Sequence, residues 1–336
     1  MKTKACLYIV TALLVLASCL VNKQVFTLSG KFKGLDKGEF ICFSDAPEWG
    51  TLDTVRIEGG RFSLTHALTD TIVLTLQYPN FMQTQVIAIP GREVSISGDA
   101  NNMLAIEVGR DEQNKLLISF RKSVAALKQG ERADVAEQFI KDNPGSWAAI
   151  AVFQKYFLQA ENPDYAKMAK LLDEMVKNAP KRKALLDQKA QMRPLLDARV
   201  GKSLPKFKAT TLKGEVISNK NFKGKPLLIT FWSTMASEFS FPLTSQRQLM
   251  QRLSKKVAQL NICLDVDTTA CRRILRRDTI GGYNVCDLRS FDSPLVNAFG
   301  LARLPANILV DSIGKIRERD IPNDSLEATL RKYGIE

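Results

Sequence analysis

The sequence is short of the groups that most often move protons or hold metals. It contains one histidine, His66, in 336 residues. A serine nucleophile needs a neighbouring base, so Ser–His hydrolysis is excluded from the C-terminal part of the chain, which has no histidine at all. His66 stands in an alternating, strand-like stretch without a second histidine or a cysteine cluster nearby, and it reads as a structural residue. Six cysteines are present, yet none of their spacings forms C-x-x-C; neither a local dithiol nor a zinc knuckle is written. Beyond Leu7–Ala17 there is no second apolar run of membrane-spanning length, and aromatic residues do not interleave with the basic ones as they do in a nucleic-acid groove. No metal, cofactor or nucleic acid is expected.

What is present begins with Lys2 and Lys4, followed by the apolar run Leu7–Ala17, too short for a membrane span but suited to a signal-peptide core. The run ends in Leu16-Ala17-Ser18-Cys19, which resembles the lipobox of bacterial lipoproteins. That resemblance implies a signal segment 1–18, cleavage before Cys19, and acylation of Cys19. A plain signal peptide and an uncleaved anchor are the rival readings. Several acyl chains would hold the protein at a membrane of the bacterial envelope, with the remaining domains periplasmic or at the cell surface. The formal net charge is +13. The excess lies mainly in residues 201–336, with 22 Lys and Arg against 13 Asp and Glu. Arg272, Arg273, Arg276 and Arg277 form a cluster at helical spacing that suits either a solvated helix face or an anion site.

Three kinds of patterning follow one another. From Val25 to about Val108 the chain alternates apolar and polar residues or carries β-branched runs between Gly, Pro, Asp and Asn. This predicts seven short strands in an all-β, sandwich-like or barrel-like domain over 19–110. From Asp111 to Arg199 the period changes: Leu116, Leu117, Phe120, Val124 and Leu127 mark one helix face. Breaks at Asn143-Pro144, Asn162-Pro163 and Asn178-Ala179-Pro180 divide a helical linker region, 111–199, into helices near 112–129, 131–141, 146–160, 164–178 and 181–198. From Val200 onwards strand runs alternate with helix-length segments, the pattern of an α/β domain over 200–336.

The lead-in Gly201-Lys202-Ser203-Leu204-Pro205-Lys206-Phe207 and the strand Phe222-Lys223-Gly224-Lys225-Pro226-Leu227-Leu228-Ile229-Thr230-Phe231-Trp232 closely resemble the entry to thioredoxin-like proteins of the TlpA/ResA and alkyl-hydroperoxide-reductase superfamily. Asn261–Asp267, Asp292–Leu301 and Leu304–Asp311 match later landmarks of that fold, the last containing the family's cis proline at Pro305. The preceding β segment is similar to the small domain of unknown function that comes before thioredoxin-like domains in lipoproteins of the Bacteroidetes group. The family carries a reactive W-C-x-x-C at the start of a helix, where the helix terminus stabilises a thiolate. Aligned on Phe231-Trp232, its two cysteines fall on Ala236 and Phe239, with Ser237 and Glu238 between. Neither residue can exchange disulfides.

The resemblance implies that Trp232, Met235, Ala236, Ser237, Glu238, Phe239, Leu304 and Pro305 converge on a cleft where the family docks an extended peptide. Three functions stay open. The first is a redox-inactive binding module for a peptide, an envelope protein or an apolar ligand. The second is thiol-disulfide oxidoreductase or related antioxidant activity through cysteines outside the motif, and the third a structural scaffold. Cys42, Cys263, Cys271 and Cys286 are read chiefly as buried core residues. Cys263 with Cys271 is the one pair close in sequence, and Cys263 with Cys286 could meet across the sheet.

Overall fold

The computed structural model describes residues 24–336 apart from Thr51, Arg110, Glu161 and Asn162; the expected signal segment and Cys19 lie outside the described residues. The chain forms two compact units. One runs up to Asp164 and includes Lys170–Asp187; the other comprises Tyr165–Ala169 and Gln188–Glu336. The helical stretch expected between two domains is thus shared between the units.

In the first unit the strands are β1 (Val25–Lys33), β2 (Lys37–Phe43), β3 (Asp53–Glu58), β4 (Arg61–Ala67), β5 (Ile72–Gln77), β6 (Gln83–Ala88), β7 (Glu93–Asp99) and β8 (Asn102–Val108). They make one sheet in the order β6-β5-β2-β3-β4-β1-β7-β8. The eighth strand has no boundary signal beyond the turn residues Ala100-Asn101, so the alternation shows it as a continuation of β7. Pairing is antiparallel except between β1 and β7, which run parallel. Burial alternates along β2, β3 and β7, whereas β5 and β6 are buried almost throughout; Phe32, Phe40, Phe62 and Tyr78 pack against one another with ring centroids 4.9–6.0 Å apart. Gly30 lets this happen: a Cβ there would lie 2.4 Å from the Phe62 ring and 2.7 Å from the Ile96 carbonyl. His66 stacks on Trp49 at 4.2 Å, and its Nε2 lies 3.4 Å from the Glu48 carbonyl oxygen, a structural placement.

Helices α1 (Glu112–Val124), α2 (Gln129–Asp142) and α3 (Trp147–Phe153) complete that unit, with α3 continuing into a π-type turn at Gln154–Leu158. Asp111 caps α1 by accepting from the backbone of Gln113 and Asn114. The two edges of the sheet, β6 and β8, both meet α1. At β6 the buried Asn114 side chain accepts from Ile87 N and donates to Ile87 O, both at 2.9 Å. At β8 Lys122 pairs with Glu107 at 2.9 Å. One helix therefore covers two strand edges that would otherwise present unpaired backbone, and the sheet is nearly barrel-like. Helices α4 (Tyr165–Asn178) and α5 (Lys183–Asp197) follow.

The second unit is built on a five-stranded sheet, β13-β12-β11-β14-β15. Its strands are β11 (Leu227–Trp232), β12 (Ala258–Cys263), β13 (Tyr283–Val285), β14 (Ala306–Val310) and β15 (Ile316–Arg319). A short hairpin, β9 (Lys208–Thr210) with β10 (Val216–Ser218), precedes them. Strands β11, β12 and β13 are mutually parallel, whereas β14 and β15 are antiparallel to their neighbours. The continuous apolar run of β11 reflects burial on both faces. Leu227, Ile229 and Phe231 face a core with Leu260, Ile262 and Phe299. Leu228 faces the opposite side with Leu253, Leu309 and Leu330.

The helices of this sheet are α6 (Ser237–Ser245), α7 (Arg247–Arg252), α8 (Thr268–Arg277), α9 (Pro294–Phe299) and α10 (Leu326–Lys332). Ser293 caps α9, Pro294 opens it, and Gly300 closes it in the left-handed region at φ 57°. A Cβ at Gly300 would also stand 2.3 Å from Leu195 Cα. The arrangement is the thioredoxin-like α/β architecture that the sequence predicts. Among the described residues, no helix is long and apolar enough to cross a membrane.

Candidate functional site

Strand β11 delivers the chain to Ser233, and a tight loop then leads into α6. Asp265, just beyond the end of β12 and buried, holds that loop. Its Oδ1 accepts from Ser233 Oγ at 2.7 Å and from Thr234 N at 2.9 Å, and its Oδ2 accepts from Thr234 Oγ1 at 2.7 Å. Ser233 Oγ in turn accepts from Met235 N at 3.1 Å. Each buried polar group of the turn thus has a partner, and charge-assisted bonds of this length are the stronger kind. Ala236 is the N-cap of α6 in extended backbone, at φ −143° and ψ 150°, without a side-chain hydrogen bond. Its carbonyl accepts from Phe239 N at 3.1 Å.

The register of β11 against β14, with Phe231 opposite Ala306, places Pro305 at the same end of the sheet as this loop. The Leu304–Pro305 peptide is cis. Met235, Ser237, Glu238 and Pro305 are exposed there; Ala236, Phe239 and Leu304 are half-buried, and Leu304 packs on the Phe231 core. Trp232 is a correction to the expected cleft. It is 1% exposed and packs beneath the loop with Leu243 and three cysteines, because side chains alternate along β11 and Trp232 points opposite to Phe231. Its indole Nε1 has no hydrogen-bond partner. Ser237 Oγ reaches only Glu238, at 3.4 Å.

Sequence reasoning placed Met235 at this edge but missed the other apolar residues of its rim. Met235, Val266, Leu288 and Phe291 are between 49% and 74% exposed. They lie on the segments that leave the carboxyl ends of β11, β12 and β13, the edge at which α/β sheets bind ligands. Exposed apolar residues carry no sequence signal of their own; only the topology gathers these to one edge.

The second omission is the thiol group beneath it. Cys263 ends β12, Cys271 lies in α8, and Cys286 follows β13; their three Sγ atoms lie within 4.8 Å of one another. All three are unbridged. The suspected neighbours Cys263 and Cys271 and the cross-sheet pair Cys263 and Cys286 are therefore one trio. Cys263, Cys271 and Cys286 are 1%, 0% and 9% exposed. Cys286 Sγ stands 3.5 Å from the Asp265 carbonyl oxygen. The neighbouring thiols of Cys271 and Cys286, with burial, push the Cys263 thiol up. Those of Cys263 and Cys271 push Cys286 down, because they donate to its thiolate.

The arginine cluster divides. Arg277 pairs with Asp278 at 2.7 Å. Arg272 donates to the Leu212 carbonyl at 3.0 Å and, with Arg276, Lys213, Glu215 and Tyr283, lines a cavity of about 720 Å³. That cavity includes none of the expected cleft residues.

Comparison with known proteins agrees with this geometry. Over 138 residues the chain is 28% identical to the thiol-disulfide oxidoreductase ResA of Bacillus thuringiensis, a match that covers 40% of this chain and 78% of that protein. A thiol-disulfide oxidoreductase structure from Bacteroides fragilis is 30% identical over 39% of this chain and 99% of its own length, with a TM-score of 0.37. The chain belongs to the TlpA/ResA-like thioredoxin-fold family. In this ResA-like chain, residues 26–117 match the family described as a domain of unknown function (DUF4369), which accounts for the added N-terminal β domain. A thioredoxin-like protein from Bacteroides caccae, 13% identical, covers 67% of this chain and 95% of its own, with a TM-score of 0.50, and shares the fold.

Proposed function

We propose that this ResA-like protein is a redox-inactive binding module that docks an extended peptide with apolar side chains. The observation that supports the reading is a helix start without sulfur, at Ala236 and Phe239, at the sheet edge from which the segments carrying the exposed Met235, Val266, Leu288 and Phe291 leave. The loop that would position a nucleophile is retained, and the exposed Met235 lies beside it. The thiol trio is not assigned exchange chemistry, since exchange requires an attacking sulfur that a partner disulfide can reach, and none of the three is more than 9% exposed. Fluorescence titration with apolar decapeptides tests the reading. Met235→Asp, at a position 62% exposed, is expected to weaken binding at least about tenfold by placing a charge in the docking surface. Equal affinity in the two proteins would sink it.

The protein is further proposed to be held at the envelope through acylated Cys19, a reading that rests on Leu16-Ala17-Ser18-Cys19. Mass spectrometry of the mature N-terminal peptide is expected to find an acylated Cys19, and Cys19→Ala is expected to release the protein from the membrane fraction. An unmodified thiol at Cys19 would refute the anchor.

A further inference from the structure

We propose that Cys263, Cys271 and Cys286 form a three-sulfur site for a soft monovalent d10 cation, copper(I). The three residues come from a strand end, a helix and the segment after an adjacent strand, so no spacing in the sequence announces them. Their Sγ atoms already lie within 4.8 Å of one another. For metal–sulfur bonds of about 2.3 Å, three sulfurs in a plane around one ion stand roughly 4 Å apart. Small side-chain rotations close that difference.

Ligand number and surroundings select the ion. Thiolates favour soft cations, while a structural zinc site almost always has four ligands. Among the described residues no imidazole is available as a fourth ligand, since His66, the chain's one histidine, is stacked on Trp49 in the β domain. The Asp265 carboxylate is occupied by Ser233 and Thr234. The hydrophobic side chains packed with the trio are Trp232, Leu243, Leu212, Ile274, Leu275 and Ile280, and the Asp265 carbonyl oxygen lies 3.5 Å from Cys286 Sγ. Three buried sulfurs match the softness and low coordination number of copper(I). Trp232 contributes the cluster's one unpaired donor, its indole N–H, which in so buried a setting calls for an explanation. Cys286, the most exposed of the three, marks the side from which an ion would enter.

Binding involves no change of oxidation state. Each sulfur that bonds as a thiolate releases one proton to solvent, so affinity rises with pH. The proposal is independent of peptide docking, since the ion sits beneath the loop and the peptide on its exposed rim.

The test is an anaerobic titration of the reduced full chain with copper(I) in competition with a chromogenic copper(I) chelator. One ion per chain is expected, with thiolate-to-copper absorption in the near ultraviolet. X-ray absorption of the loaded, unaltered protein is expected to give three sulfur neighbours at about 2.3 Å. Cys271→Ser and Cys286→Ser, each checked for folding by circular dichroism, should each weaken binding by about 100-fold or more, at least the cost of losing an outer-shell partner. Cys42→Ser, in the β domain, should not alter it. Failure of the folded protein to retain copper against the chelator would overturn the proposal. So would a four-coordinate ion, binding that survives both serine variants, or zinc held at these sulfurs in preference to copper.

Discussion

Ala236→Cys combined with Phe239→Cys is expected to give the second unit disulfide-exchange activity at the start of α6. The two positions are three residues apart on one helix face, at the N-cap and third position of α6, so their sulfurs would be neighbours. The preceding loop is already fixed by Asp265, and Pro305 already stands at the end of β14 beside it. A cysteine at a helix N-terminus has its pKa lowered from about 8.5 to about 7 or below, which raises the thiolate fraction at pH 7 by roughly tenfold or more. Reduction of a protein disulfide by the double variant should therefore exceed that of the single Phe239→Cys variant by at least that factor. A folded double variant that forms no intramolecular disulfide would show that more than the sulfurs has been lost from the scaffold.

The second large effect is expected at Asp265. Asp265→Ala removes the acceptor for Ser233 Oγ, Thr234 N and Thr234 Oγ1 and leaves the fully buried Ser233 hydroxyl short of a partner. Hydrogen bonds to a charged group contribute about 1.5–3 kcal/mol each, part of which is offset by no longer burying a carboxylate. A net loss of about 3 kcal/mol in the second unit is the expected outcome. Asp265→Asn keeps one acceptor oxygen and should lose less. Hydrogen exchange at the amides of β11 and β12 as a function of urea measures the difference without interference from the first unit. A change within about 0.5 kcal/mol, the usual range for surface substitutions, would mean that the loop does not depend on this carboxylate. The same substitution should also lower exchange by the Ala236→Cys, Phe239→Cys variant, since it frees the turn that presents α6.

The parts of this molecule that could be read from sequence are those fixed by local periodicity or by landmarks in order along the chain. The apolar run Leu227–Trp232 gave a central strand, Ser293-Pro294 and Gly300 bounded a helix, and Leu304-Pro305 marked the start of β14. The helices near 112–129 and 164–178 were equally visible, because one apolar face at three- and four-residue spacing is a strong signal. The partition into units was not, since α4 begins in one unit and ends in the other, and periodicity says nothing of which neighbour a helix packs against.

The site was legible only in part. Ala236 as the first residue of the helix followed from alignment on Phe231-Trp232, and the structure has Ala236 as the N-cap of α6. The family motif implies that Trp232 lines the cleft, whereas strand alternation sends it inward. The thiol trio was out of reach for another reason: its members are 8 and 15 residues apart in sequence, at positions 263, 271 and 286, and meet only because β12 and β13 pair in parallel with α8 between them. Non-local pairing of this kind is set by tertiary topology. The apolar rim has the same origin, since Met235, Val266 and Leu288 follow three parallel strands that end at one edge of the sheet.

The central claim is that the second unit keeps the thioredoxin-like scaffold and has lost exchange chemistry. Its most direct test is reduction of insulin disulfides by the purified, unaltered chain beside a variant in which Cys42, Cys263, Cys271 and Cys286 are all serine. The two rates are predicted to coincide with each other and with the uncatalysed background. Catalysed reduction by the unaltered chain that disappears in the serine variant would contradict the claim and assign the activity to the buried cysteines.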